Sequence, residues 1–129
     1  MNLSNPPTQD AAVVPLDAAA QARLRELDPQ GRHGVVVRVL QAFEGSLKRM
    51  MAQLRAQRDS GGDAAQVLAL VHTLKSSSAS VGALTLAAAC TEVETRLRAD
   101  VSVLQPADVE RLLAEGESAL RSVAAMLRP

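Results

Sequence analysis

The sequence predicts an all-α fold: an antiparallel up-down-up-down four-helix bundle with a short additional N-terminal helix. Three observations carry that reading. The apolar residues, 47% of a 129-residue chain, are mostly Ala, Leu and Val, with one aromatic, Phe43, and no Trp or Tyr. Ala and Leu are strong helix formers, whereas a sheet would have to draw its β-branched and aromatic residues from Val. Apolar residues recur at steps of three and four along four long stretches, the period of an amphipathic helix. The connections between those stretches are short, which forces neighbouring helices to run antiparallel.

Residues 1–15 hold Pro6, Pro7 and Pro15 and show no amphipathic period. They read as a flexible N-terminal leader, and residues 16–129 as one helical bundle domain. Asp17 is placed to cap a short helix to Leu27, with Leu16, Ala20, Leu24 and Leu27 on one side. Asp28-Pro29 and Gly31 end it. Val36, Leu40, Phe43, Leu47, Met50 and Leu54 then form a seam that spans about 80° of arc at 100° per residue. That helix ends near Asp59, before the turn Ser60-Gly61-Gly62.

Asp63 followed by Gln66 reads as a capping box for the next helix. Its apolar set is Val67, Leu70, Leu74 and Val81, flanked by Val71 and Ser78, and Gly82 suits a left-handed helix end. Leu86, Cys90, Val93 and Leu97 mark a further helix. After a loop around Asp100–Gln105, Pro106 occupies a first-turn position, with Asp108 and Glu110 favouring the helix dipole. Val109, Leu112/Leu113, Gly116, Leu120, Val123 and Leu127 complete the last seam.

Composition also restricts the partners. With 14 Lys+Arg against 14 Asp+Glu, the chain lacks the basic surface and stacking aromatics of a nucleic-acid binder. No apolar run approaches the roughly 18 residues of a membrane helix. No basic residue precedes Arg23, and Pro15 and Asp17 interrupt the apolar stretch at Val13-Val14, so a secretory signal is not expected. A lone cysteine, Cys90, forms neither an internal disulfide nor a Cys-rich zinc site. The expectation is a cytoplasmic protein, and Met1 with the polar leader favours a free-standing one over a hybrid-kinase fragment.

His72 stands apart from this core pattern. On a helical wheel with His72 at zero, Leu70, Leu74, Val81 and Val67 fall at about 160°, 200°, 180° and 220°, so the ring points outward. Lys75, Ser76 and Ala79 lie within about 60° of it, and Leu68 about 40° away one turn earlier. An imidazole with an ammonium beside it and small or apolar flanks suits receipt of an anionic group from another protein. Its convex setting leaves the cleft to the partner.

The stretch His72-Thr73-Leu74-Lys75-Ser76-Ser77-Ser78-Ala79-Ser80-Val81-Gly82-Ala83, continued by Leu86, Cys90 and Val93-Glu94, resembles the signature of histidine phosphotransfer (HPt) domains. The resemblance covers residues 64–98 in detail, and the flanking helices agree in length and order. It implies that His72 accepts a phosphoryl group from the aspartyl phosphate of a response-regulator receiver domain and passes it to another receiver. It also implies partnership with a hybrid sensor kinase, and Mg²⁺ on the receiver, with no cofactor in the chain itself. The family usually has Gly directly after the Lys; here Ser76 stands there, still small but able to alter closeness of approach.

The residues agree with that chemistry. A neutral imidazole is a competent nucleophile near neutral pH, and phosphoryl transfer needs mostly alignment and charge stabilisation. Lys75 is expected beside the transferred phosphate, an exposed contact worth about 1 kcal/mol or less. Glu94 lies about 70° off its seam, on the border facing a neighbouring helix. In similar domains a Glu or Gln there bonds the histidine ring; a carboxylate on Nδ1–H would leave Nε2 as the attacking atom. Leu68, Ser76, Ala79 and Gly82 are the expected partner-binding positions. Cys90 reads as core filler, the serines as small packing residues, His33 as incidental, and Met50 and Met51 as core or flank. The sequence has no Walker loop or nucleotide fingerprint, so no kinase or ATP-binding activity is expected. The alternative is an adaptor that binds receivers or kinases without chemistry. A haem or di-metal bundle would need inward His or Glu on several helices, which the seams lack. A monomer is expected.

Overall fold

The structure is a computed structural model, and it describes residues 13–128. Five helices follow in order: α1 (Ala18–Glu26), α2 (Val35–Asp59), α3 (Ala64–Val81), α4 (Leu84–Ala99) and α5 (Pro106–Leu127). A 3₁₀ turn, Val101–Val103, joins the last two. No strand occurs among the described residues. Helices α2 to α5 pack as a bundle around one apolar core, and α1 lies against α2 and α3.

The caps explain where the helices begin. Asp17 Oδ2 accepts from Ala20 N–H at 3.0 Å. Asp63 Oδ1 accepts from the N–H groups of Ala65 (3.0 Å) and Gln66 (3.4 Å). The reciprocal half of the expected capping box differs. Gln57 of α2 supplies it, its Oε1 accepting from Asp63 N–H at 2.7 Å while its Nε2 donates to Gln66 Oε1. Helix α2 starts after Gly34 with no side-chain cap of its own. Buried Asp28 reaches across the loop instead, accepting from the N–H groups of His33 and Val35, so a residue just beyond α1 satisfies donors at the start of α2. Pro106 opens α5, and Asp108 accepts from Gln105 N–H at 3.0 Å while pairing with Arg96 of α4.

The seams depart from the sequence reading at several positions. Met51, not Met50, is fully buried on α2. The cause lies on α5: a Cβ on Gly116 would come within 2.8 Å of Met51 Sδ, so the thioether fills the space the glycine leaves, and adaptable Met suits such a gap. On α3, Val71 and Ser78 are buried with Val67, Leu74 and Val81, while Leu70 is only half-buried. The stripe therefore turns toward α4 as well as α2, because α3 packs against both. Leu27 is 67% exposed rather than packed, since α1 ends at Glu26. Val36, Leu120 and Leu127 are partly buried at the rim, and Ala119 and Ser122 turn inward on α5.

Most of the expected leader, residues 1–12, lies outside the described residues. Its last part, Val13–Pro15, is held rather than loose: Ser122 of α5 donates to the Val14 carbonyl. Beyond it, Asp17 N–H donates to Gly82 O at 2.9 Å and Gln21 Nε2 to Val81 O at 2.7 Å. These bonds satisfy carbonyls at the C-terminal end of α3, the helix that carries His72.

Candidate functional site

His72 sits midway along α3 with its side chain 60% exposed. The α3 core stripe, centred on Val67, Val71, Leu74 and Ser78, places the ring at the flank of the helix rather than diametrically opposite the core. That flank faces α4, and Glu94 stands there. Its side chain is 6% exposed, deeper than a border position implies. A carboxylate so placed must be paired to remain charged, and three groups pair with it.

Glu94 Oε2 lies 2.6 Å from His72 Nδ1. Oε1 accepts from Lys75 Nζ at 2.5 Å. Arg98, one turn further along α4, donates to Oε2 twice, through Nη2 at 2.8 Å and Nε at 3.2 Å. Hydrogen bonds from Lys75, then Arg98, then His72 hold the Glu94 carboxyl down to about 2, against desolvation. Glu94 is therefore ionised across the neutral range and can only accept.

That fixes the proton on the ring. Nδ1 at 2.6 Å from an ionised oxygen carries the hydrogen and donates it, so the neutral imidazole keeps its lone pair on Nε2. Among the described residues no hydrogen-bond partner lies on Nε2. Arg98 Nη2 also approaches Nδ1, at 3.3 Å. Both groups are donors in this tautomer, so that approach is a shared convergence on Oε2, not a bond between them.

The other expected positions divide. Ser76 and Ala79 are exposed along the turns that follow His72, and Leu68 is half-buried one turn before it. Gly82, expected on the partner-facing side, is buried. It takes φ +90°, and a Cβ there would meet Asp17 N at 2.6 Å; the position serves the left-handed end of α3 and the close approach of the N-terminal segment. Two neighbouring hydroxyls turn to the helix itself: Ser80 donates to Ser76 O at 2.9 Å and Ser77 to Leu74 O at 3.3 Å. Cys90, one turn before Glu94, is fully buried, and burial with the Glu94 charge pushes its thiol up to about 12. His33 is exposed, and its backbone N–H donates to Asp28. Among the described residues no group of three His, Cys, Asp or Glu could hold a metal ion, and no helix is long and apolar enough to cross a membrane.

Arg98 is the site residue that the sequence reading passed over. Its signal was local: it follows Glu94 by four residues, the spacing of an ion pair on one helix face.

A comparison with protein families matches residues 38–127 to the Hpt domain. No curated protein and no solved structure matches the chain significantly.

Proposed function

The chain belongs to the Hpt domain family, and on that footing we propose that it is a phosphocarrier of a phosphorelay with His72 as the phosphoacceptor. Hpt domains act in two-component phosphorelays and interact with receiver domains and kinases. The observation that carries the assignment to His72 is the 2.6 Å contact between its Nδ1 and the buried Glu94 carboxylate, which leaves Nε2 as a lone-pair nucleophile on an exposed ring.

In the proposed step, Nε2 attacks the phosphorus of an aspartyl phosphate on a receiver domain. The N–P bond forms as the P–O bond to the aspartyl oxygen breaks, and that oxygen leaves as a carboxylate. The hydrogen on Nδ1 stays, so no proton has to move, and the positive charge that develops on the ring is met by Glu94. Reversal onto a second receiver regenerates the neutral ring. Lys75, held on Glu94, is the cation we assign to the phosphoryl oxygens, while Mg²⁺ belongs to the receiver. Ser76, Ala79 and Leu68 form the ground on which the receiver sits; Gly82 ends the helix that carries them. Phosphate arrives through a hybrid sensor kinase, and the chain neither binds ATP nor turns over alone.

One coarser feature fits this reading. The connections around α3 are short (Ser60–Asp63 and Gly82–Ala83), which supports the up-down-up-down order for α2 to α5. A phosphocarrier that meets receivers in turn is best served as a cytoplasmic monomer.

Phosphate labelling tests the assignment. Incubation with a labelled, phosphorylated receiver is expected to give an acid-labile, base-stable label on the protein, absent in His72→Gln, whose fold is retained. Label persisting in that variant would move the acceptor elsewhere. Receiver binding with the label left on the receiver would make the chain an adaptor.

A further inference from the structure

We propose that Arg98 is a positioning residue that holds Glu94 Oε2 in front of the His72 ring and so selects the tautomer that can attack. The inference rests on the phosphocarrier reading for its consequence, though not for its geometry.

Glu94 has two oxygens and three cationic or polar claimants. Lys75 takes Oε1 alone and at the shortest distance, 2.5 Å. Left to that contact, the carboxylate is free to turn about its terminal bond toward the ammonium, a point charge with no preferred plane. Oε2 would then be restrained by the imidazole only, and a 60% exposed ring is a poor anchor. Arg98 removes this freedom. Its Nε and Nη2 both donate to Oε2, and a planar fork on one oxygen defines where that oxygen lies.

The same guanidinium disfavours the wrong ring state only while Glu94 is in place. Nη2 is 3.3 Å from Nδ1. Were Oε2 to swing away, Nη2 could donate to an unprotonated Nδ1, and the ring hydrogen would move to Nε2, where it blocks attack. Arg98 thus needs Oε2 between itself and the ring, and its two bonds to Oε2 keep it there. Arg98 projects from the surface, 55% exposed, so its removal leaves the core untouched.

Nitrogen-15 NMR of the imidazole, at a pH where the ring is neutral, reads the tautomer directly. The native protein is expected to show a protonated Nδ1 and an unprotonated Nε2. Arg98→Ala should shift population toward protonated Nε2 and slow phosphoryl uptake from a labelled receiver about fivefold, with the thermal midpoint little changed. Arg98→Lys should recover part of both effects, since one ammonium restores charge but not the fork. An unchanged or greater Nδ1-protonated population in Arg98→Ala overturns the proposal, whatever happens to transfer. Failure of the phosphocarrier reading shows separately, as label that never reaches the native chain or that survives in His72→Gln on another acceptor, and leaves the NMR test of Arg98 intact.

Discussion

At the scale of single residues, the site depends on a carboxylate that is buried and charged at once. Glu94 stays ionised because Lys75, Arg98 and His72 all donate to it, and its carboxyl is lowered from the ordinary 4.5 to about 2. Depression of a folded-state carboxyl gives a definite sign: its contribution to stability is complete above the unfolded value and disappears as pH falls through the folded one. The window runs from about 4.5 down to about 2. Glu94→Gln has nothing to titrate there. The stability gap between native protein and Glu94→Gln, measured by denaturant unfolding at several pH values, is expected to narrow across that window. A gap that stays constant down to about pH 2 would mean the carboxylate is not held by its three donors. Asp108 is also lowered, by Arg96, so the comparison with the variant, not the native curve alone, isolates Glu94.

At the scale of helices, periodicity made the elements legible while packing decided their exact faces. The turns and caps that bound α2 to α5 could be read from Ser60-Gly61-Gly62, Asp63, Gly82 and Pro106, because each acts within a few residues. Met51 in place of Met50 could not, since the choice is made by Gly116 on another helix. Val71 and Ser78 entered the core for the same kind of reason, two neighbours pulling the α3 stripe sideways. The site shows the same division. The exposed ring of His72 followed from the wheel, but the depth of Glu94 and the grip of Arg98 depend on how α4 lies against α3. Gly82 is legible as a left-handed end, which its φ of +90° matches, yet its burial under Asp17 depends on the N-terminal segment being in place. Gly82→Ala therefore meets two obstacles, a strained backbone and a backbone nitrogen at 2.6 Å. A loss of about 2–4 kcal/mol is expected, with faster proteolysis ahead of α1 as Asp17 and Gln21 lose their α3 carbonyls. Denaturant midpoints and limited proteolysis check this; a loss under about 0.5 kcal/mol would mean the N-terminal segment moves aside freely.

At the scale of the whole molecule, the bundle is a support that presents one ring on a low surface. Ser76 and Ala79 are exposed beyond His72, and neither carries a side chain longer than a hydroxymethyl. A partner whose reacting atom must come within bonding distance of Nε2 has to lie almost flat on that strip, and misplacement by about 1 Å can cost about 100-fold in rate. Ser76→Arg tests the strip. On an exposed helix position the change costs the fold no more than about 0.5 kcal/mol, so unfolding midpoints should hardly move. Phosphoryl uptake from a labelled receiver should fall roughly 100-fold, because a guanidinium stem beside the ring keeps the receiver away. Bulk and charge separate by salt: a Coulombic effect of the new guanidinium would fade as the Debye length drops from about 8 Å to about 3 Å at 1 M salt, while a steric block persists. Ser76→Gly, the residue more usual there, should transfer at least as fast as the native chain. Native rates in Ser76→Arg would place the docking surface on some other face and leave the exposed ring of His72 without its expected visitor.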